Sequence, residues 1–462
     1  MNNQTTKSLM RKYCIPCVIS LLVASLYNIV DQIFIANANY LGSYGNAANT
    51  VVFPLTVVAL AIAVMIGDGC CTYVSNLLGE KKENDVAIGI ASAIKFSVVS
   101  GIVIMLIYFA LEDQLIIWFG GGVNEETFSF SKEYFTIIII GIPFYVFGQA
   151  FNPIIRATGH PKYAMMQVVV GAIINIILDP IFIFPMRMGM FGAALATIIG
   201  QIVTAILAII YIVRIQVPKL KIKDFKVHVK VLFRMLFLGV CSFLAQVSMV
   251  LTMLVMNNVI KKYSLLDPVF KESIYSHIPM AVMGIVMKFF QIVISIVIGV
   301  SAGCIPIVGY NTGSKQYDKV KETLNLLLII ETIIGVVGLL IVELAPNLLL
   351  NIFGASNESE YYVSFGIKSF RIYLSMLVFA CLNKATFIFL QAMQKPFTST
   401  FLSMIREIVF GIGFSLLLPL KYNLDGCLYS MPVADIMTFV FTVIILVVTY
   451  VDINKKMNMA RA

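Results

Sequence analysis

The stretch AMMQVVVGAIINIILDPIFIF, residues 164–184, is long and apolar enough to span a membrane, yet it contains an aspartate. Runs of about twenty apolar residues, long enough to cross the hydrocarbon core of a bilayer, recur along the whole chain. Apolar residues make up 60% of the sequence and charged residues only 12%, whereas a soluble protein keeps about a quarter of its residues charged. We therefore expect an all-α integral membrane protein and not a β-barrel, whose strands would be shorter and strictly alternating.

Twelve apolar runs predict the membrane-spanning helices, which we number as spans in chain order. Their bounds are 14–36, 50–77, 87–110, 134–153, 164–184, 191–213, 231–256, 279–303, 323–345, 364–390, 398–418 and 426–449. The loops after the even-numbered spans are basic, a bias that places both termini in the cytoplasm. The loop with Lys261, Lys262 and Lys271 is an exception. The net charge of +9 thus reflects membrane orientation, and we expect a multi-pass cell-membrane protein without a cleavable signal peptide or a nucleic-acid partner.

Four sequence features of the first half recur in the second half in the same order. The pairs are GEKKENDV (79–86) with GSKQYDKV (313–320), WFGG (118–121) with IFGA (352–355), Pro161 with Pro396, and Gly192 with Gly426. Six spans per half bring both repeats into the membrane from the same side, which makes the repeat parallel. We predict a six-helix bundle at 1–213, a cytoplasmic linker at 214–234 and a second six-helix bundle at 235–462. Because two such bundles can rock about a central cleft, the repeat favours a carrier that functions as a monomer.

Three acids of the first half fall within predicted spans: Asp31, Asp68 and Asp179. An ionised aspartate at the centre of a membrane helix costs about 2.5–3.5 kcal/mol, so an acid at this depth is by default a functional hypothesis. Asn175 and Asp179 are four residues apart and share a helix face. Asp68 stands between two glycines, so it could belong to the same cluster or to helix packing.

Two further polar residues and a proline could support these acids. Tyr27 and Asn28 precede Asp31 by four and three residues, and so lie on its face of span 1. Pro180 has no N–H, which leaves the carbonyl of Ile176 without a helical partner unless a polar group meets it.

Together these residues predict an oxygen-rich site inside an apolar bundle. Two carboxylates that are close together in a low dielectric cannot both stay ionised at low cost, so the pair can hold a proton or exchange it for Na⁺. The alternative is structural: a single buried, hydrogen-bonded Asp179 that fastens span 5 to its neighbours. We expect no cofactor beyond the ion itself.

The second half does not repeat this chemistry. The repeat offset takes Asp179 to Gly413 and Asp31 to Leu265. Residues that could line a substrate cavity in this half are Gln246, Met253, Met283, Lys288 and Glu407. The mid-span charges, which also include Glu331 and Asp435, could instead pair internally, for example Lys288 with Glu407.

The sequence resembles the multidrug and toxic compound extrusion (MATE) family of secondary transporters. The resemblance rests on LYNIVDQIFIA (26–36), RATGHPKYAMMQVVVGAIINIILDPIFIF (156–184), GMFGAALATIIGQ (189–201) and IPIVGYNTGSKQYDKVKE (305–322). It implies two six-helix bundles that face a central cavity, and export of organic, often cationic compounds driven by inward H⁺ or Na⁺. It also implies a cation site in the first bundle, whose residues fall here on Asp31, Asn175, Asp179 and Thr197.

The chain departs from the family pattern in its second half. Family members carry an acid in span 7 and another in span 10, but here span 7 offers only Gln246 and span 10 carries Arg371 and Lys384. The absence of these two acids favours H⁺ coupling, or a Na⁺ site in the first bundle alone.

The cations Lys288, Arg371 and Lys384 leave open a second function, that of a flippase for a lipid-linked precursor from the same wider superfamily. A channel, a membrane scaffold or an enzyme fits less well, because the repeat is internal and no Walker loop, metal cluster or triad pattern is present.

Overall fold

The computed structural model describes residues 4–38, 40–214, 219–226, 228–272, 275–276, 278–352 and 359–461, and these are helical almost throughout. The first half, called the N half, consists of α1 (Thr6–Asn37), α2 (Gly42–Gly79), α3 (Glu83–Ala110), α4 (Glu112–Trp118), α5 (Glu125–Ala157), α6 (Pro161–Ile183) and α7 (Gly189–Arg214). The second half, called the C half, consists of α8 (Val229–Ser264), α9 (Ile278–Gly313), α10 (Tyr317–Leu344), α11 (Pro346–Ile352), α12 (Glu360–Tyr373), α13 (Leu377–Ala392), α14 (Pro396–Leu417) and α15 (Pro419–Arg461).

The described residues contain eleven helices that are long and apolar enough to cross a membrane, and α12 with α13 forms a twelfth span bent by 46°. The predicted all-α membrane fold with twelve spans is therefore confirmed. Local sequence fixes several helix starts. The side chains of Thr5, Asn124 and Ser359 accept hydrogen bonds from backbone N–H groups of the following turn. Pro161 and Pro396 open α6 and α14, where a missing N–H costs nothing.

Span 10 differs from the prediction of one unbroken helix at 364–390. The helix stops at Tyr373 and resumes at Leu377. The break contains neither proline nor glycine, and the hydroxyl of Ser375 donates to the carbonyl of Ile372 at 2.8 Å. Because a serine side chain can satisfy a backbone group at membrane depth, it can support a bend that apolar periodicity does not reveal.

The internal repeat is visible in both packing and backbone. In the N half, α1 packs on α6, α2 packs on α5, and α7 packs on both α5 and α6. The C half repeats these contacts in the same order: α8 packs on α14, α9 packs on α13, and α15 packs on both α13 and α14. Positive φ angles recur at matching positions: Lys81 with Lys315, Gly159 with Gln394, and Gly189 with Asn423. The parallel repeat of two six-helix bundles is thus a property of the fold.

The predicted bounds of the linker remain a prediction. Residues 215–218 and 227 lie outside the described residues, as do residues 353–355 of the IFGA motif. α8 begins at Val229, inside the segment expected to be linker. Lys95 of α3 binds the described part of this segment, because its ammonium donates to the carbonyls of Phe225 and Lys226, both at 2.7 Å.

The two halves meet through α1 with α9 and α2 with α8. We call the side of the bundle on which α1 begins and α15 ends the terminal side. There the helices approach backbone to backbone at glycines: a Cβ on Gly239 of α8 would lie 1.8 Å from the carbonyl oxygen of Met65, and one on Gly303 of α9 would lie 2.6 Å from the Cα of Cys14. Gly284 of α9, nearer the opposite side, is exposed, and a Cβ there would meet nothing within 4 Å. The halves are therefore closed against each other on the terminal side.

Candidate functional site

Three helices of the N half bring the predicted cation-site residues together. Asp31 comes from α1, Asn175 and Asp179 come from α6, and Thr197 comes from α7, which packs on α6. The carboxyl groups of Asp31 and Asp179 lie close enough to interact directly. Asp179 is fully buried and Asp31 is 7% exposed. Two acids far apart in sequence thus share one enclosed place among apolar helices.

The amide of Asn175 organises this site. Its Nδ2 donates to Asp179 Oδ1 at 3.3 Å and lies 3.4 Å from Thr197 Oγ1. Its other atom, Oδ1, is buried and accepts no hydrogen bond from the described residues, and the same is true of Asp31 Oδ1 and Asp179 Oδ2. Buried polar atoms normally have partners. Three buried oxygens without a hydrogen-bond donor, on three side chains of one site, are suited to hold a proton or a small cation.

Two residues of the site were missed from the sequence. Asn49 of α2 lies next to Asp31, and Tyr134 of α5 lies beside Thr197. Asn49 directly precedes predicted span 2, so it was not counted as a polar residue at membrane depth, although α2 begins earlier, at Gly42. A correct prediction that α2 begins at Gly42, before Asn49, would have placed this residue inside the helix.

A cavity of about 40 Å³, with room for a few water molecules, reaches Asn175 and Thr197 of this site, and neither acid is part of its lining. It lies among α1, α5, α6 and α7, and its lining includes Tyr27, Asn175, Thr197 and Gln201. Tyr27 therefore lies where the spacing placed it. Pro180 directly follows Asp179, and α6 continues to Ile183 beyond it.

Two of the predicted supporting residues do not join the site. Asn28 is exposed, and its amide donates to the carbonyl of Ala24 in its own helix at 2.9 Å. Asp68 belongs to a different group, because its carboxylate accepts a hydrogen bond from Ser242 of α8 at 2.8 Å. Gln391 of α13 completes this group through bonds to Ser242 and to the carbonyl of Leu238. Asp68 therefore links the two halves on the terminal side.

The charges of the C half pair differently from the example given by sequence. Glu407 does not pair with Lys288: it accepts from Arg406 Nη1 at 2.6 Å. The same guanidinium binds Asp435 of α15 through Nε at 2.9 Å, and Lys384 of α13 is close enough to interact electrostatically with both acids. The three paired side chains are almost completely buried, and we call them the ionic trio.

The other proposed cavity residues of the C half lie on α8 and α9. Met283 is 2% exposed and packs in the hydrophobic core of that half. Gln246 is half-buried on α8, Met253 is exposed on the same helix, and Lys288 is half-buried on α9.

A parallel repeat with paired acids at membrane depth is the architecture of a multi-pass membrane transporter. A family model described as MatE matches residues 16–181 and again residues 252–417, once in each half. The chain therefore belongs to the MatE family, whose members are transporters and not enzymes.

Known proteins resemble this chain over most of its length. It is 24% identical over 430 residues to a multidrug export protein MepA of Staphylococcus aureus (strain MRSA252), which covers 92% of this chain and 90% of the relative. It is 26% identical over 431 residues to the MepA of Staphylococcus haemolyticus (strain JCSC1435), with the same coverage. A crystal structure of a MATE protein in complex with MaL6 superposes with a TM-score of 0.89 at 21% identity and covers 98% of each chain, which establishes the fold.

Proposed function

We propose that this transporter is an antiporter that exports organic, often cationic compounds and takes up H⁺ in exchange. The facing carboxyl groups of Asp31 and Asp179 carry the proposal, and the multidrug export proteins among its relatives support the substrate class. Two buried carboxyl groups that lie this close together are held there at low cost only if they share a proton or bind a cation. A shared proton fits the close approach. Na⁺ is the alternative ion, for which the unpartnered oxygens would serve as ligands.

The helix that carries Asp31 also carries the contact between the halves. Cys14 and Val18 of α1 lie against Gly303 and Gly299 of α9, a few turns before Asp31. A change of charge at Asp31 therefore acts on the element that closes the terminal side. Coupling follows if the ion and the exported compound favour different arrangements of the halves by a real difference in free energy.

The cycle has two states. In the arrangement described, the terminal side is closed and the paired acids would receive the ion from the opposite side. With both termini in the cytoplasm, as we propose for the cell membrane, this state faces outward. Rocking of the halves would then open the terminal side, release the ion to the cytoplasm and admit the next compound. Both repeats lie in one chain, so we propose a functional monomer.

The experiment is uptake of a fluorescent organic cation into inverted membrane vesicles under an imposed proton gradient or an imposed Na⁺ gradient. We expect Asp31→Asn and Asp179→Asn each to abolish gradient-driven uptake, because an amide cannot exchange a proton. Asp85→Asn removes an exposed carboxylate at the start of α3 and is the matched control, expected to transport as the wild type does. An Asp179→Asn variant with normal uptake under both gradients would contradict the proposal.

The flippase alternative requires a cationic cavity for a lipid-linked precursor. Of the three cations that favoured it, Arg371 is paired with Glu343 at 3.5 Å, and Lys384 lies beside the acids of the ionic trio. Only Lys288 is left among them without such an acidic neighbour in the described part of the chain. The described charges therefore favour export of organic compounds.

A further inference from the structure

Glu331 is a buried acid that the proposed cycle does not yet use. It lies midway along α10 and is completely buried. Its Oε1 accepts one hydrogen bond, from Ser301 Oγ of α9 at 2.8 Å, and its Oε2 accepts none from the described residues. Within those residues no lysine, arginine or histidine nitrogen lies within 4 Å of it. A carboxylate in this setting would be an uncompensated buried charge.

Among the described residues, the surroundings of Glu331 contain no group that would neutralise its charge. Cys14 of α1 and Cys381 of α13 are the titratable groups that interact with it electrostatically, and both are buried thiols. The charges of α14 and α15 nearest the middle of the C half, Arg406 and Asp435, are engaged with each other. Arg156 of α5 interacts with Cys14 and not directly with Glu331.

Glu331 also lies next to the contact between α1 and α9 that closes the terminal side, on the other side of α9 from α1. Its donor, Ser301, follows Val300, whose carbonyl accepts a hydrogen bond from Cys14 of α1 at 3.3 Å. The thiols of Cys14 and Cys304 are 3.8 Å apart across the same contact. α1 therefore covers the part of α9 that separates Glu331 from the space between the halves.

We propose that Glu331 is a second proton-binding site, and that its protonation holds α1 against α9 on the terminal side. The inference rests on the alternating-access function proposed above. While α1 covers α9, the neutral acid is the form that the apolar surroundings tolerate. When α1 moves away, water reaches the Ser301–Glu331 pair and the acid can ionise. Protonation therefore favours the closed terminal side and deprotonation favours the open one.

The test measures the distance between the halves with two nitroxide labels. Lys162→Cys at the start of α6 and Lys455→Cys near the end of α15 place exposed thiols on the terminal side of each half. The labels are attached in acid buffer, where the terminal side should be closed and all eight native cysteines are buried. The protein carries Asp31→Asn and Asp179→Asn, so the paired acids cannot respond to pH. Distance distributions are recorded in lipid nanodiscs in acid and in alkaline buffer by pulsed electron paramagnetic resonance.

We expect the ratio of long to short distances to rise roughly tenfold from acid to alkaline buffer, within the usual range of coupling between two sites. Glu331→Gln should keep the short distance in both buffers, Glu331→Asp should retain the response, and Glu343→Gln, an exposed acid on the same helix, should leave it unchanged. A pH response that persists in Glu331→Gln, or that is absent once the paired acids are replaced, would overturn the inference while leaving the antiport proposal intact. A wild-type protein that never shows the long distance, in either buffer or with organic cation added, would overturn both.

Discussion

At the scale of single residues, Arg406 of the C half neutralises two buried carboxylates. Its guanidinium binds Glu407 and Asp435 at once, and it is only 8% exposed. A buried charge pair is a poor source of stability when compared with apolar packing, but removal of one partner leaves the other unpaired in a low dielectric. The two acids therefore depend on this one side chain.

Arg406→Leu should strongly destabilise the protein, by about 3–5 kcal/mol, because two carboxylates would lose their common partner. Arg371→Leu is the matched control: the side chain of Arg371 is 51% exposed, and surface pairs contribute about 0–1 kcal/mol. The readout is the temperature at which the eight buried thiols react with a fluorogenic dye in detergent. We expect a fall of several degrees for the first variant and almost none for the second.

The ionic trio offers a second check. Replacing all three members together, as Arg406→Leu, Glu407→Gln and Asp435→Asn, removes the unpaired charges and should recover most of the lost stability. A triple variant as unstable as Arg406→Leu alone would show that packing of the arginine stem, and not charge, accounts for the loss.

The partnership of Asn175 with Asp179 could be predicted from the sequence and the ionic trio could not, for one physical reason. Asn175 and Asp179 stand at a helical spacing that puts them on one face, so their partnership is visible in the sequence. Arg406 and Glu407 are adjacent, and adjacent residues of an α-helix do not face each other. Here they fall in a π-helical segment, Ile405–Ile412, where α-helical spacing no longer applies.

At the scale of elements, the apolar runs predicted eleven spans as single helices, and they could not predict how the twelfth is broken. Hydropathy reports that a segment is apolar over the thickness of a bilayer, and this held for every span. The bend between α12 and α13 instead depends on a local bond of Ser375, and a serine in an apolar run carries no distinctive signal. Helix existence was thus predictable, while helix continuity was not.

Lys95 provides a test at this scale, since it ties α3 to the segment between the halves. Lys95→Met should loosen residues 219–226, because the two carbonyls that accept from its ammonium would lose a charged donor. Losing at least about 1 kcal/mol of local stability would speed cleavage there roughly fivefold. Limited trypsin digestion in detergent, followed by gel electrophoresis, measures the rate at Lys219, Lys221 and Lys223.

Lys162→Met serves as the control for this digestion, because it also removes one exposed lysine from the same side of the protein. Equal cleavage rates in the two variants would show that the segment is held by other contacts.

At the scale of the whole molecule, two bodies of similar construction meet along a seam of glycines. Gly239→Val should push the halves apart on the terminal side, because its Cβ would lie 1.8 Å from the Met65 carbonyl oxygen. Overpacking of this kind costs about 1–3 kcal/mol or more, enough to raise the open population tenfold or beyond. The readout is labelling of Cys14, which lies between α1 and α9, by a water-soluble maleimide.

Gly284→Val is the matched control, because its Cβ meets no atom within 4 Å although it lies on α9 itself. We expect it to label like the wild type. Cys14 is on a different helix pair from Gly239, so increased labelling also tests whether the halves move as rigid bodies. If Gly239→Val labels no faster than Gly284→Val, the strain is absorbed locally within α2 and α8.

The glycine seam has a kinetic consequence. Where two helices pack through interdigitated side chains, their separation requires each side chain to leave the space between residues of the facing helix and that space to be filled again. Along Gly69, Gly239, Gly299 and Gly303 the facing surfaces are nearly smooth, with main chain resting on main chain. Surfaces of this kind can part and meet again with little rearrangement of side chains beyond the re-forming of bonds such as that of Ser242 with Asp68, so closure of the terminal side should be fast.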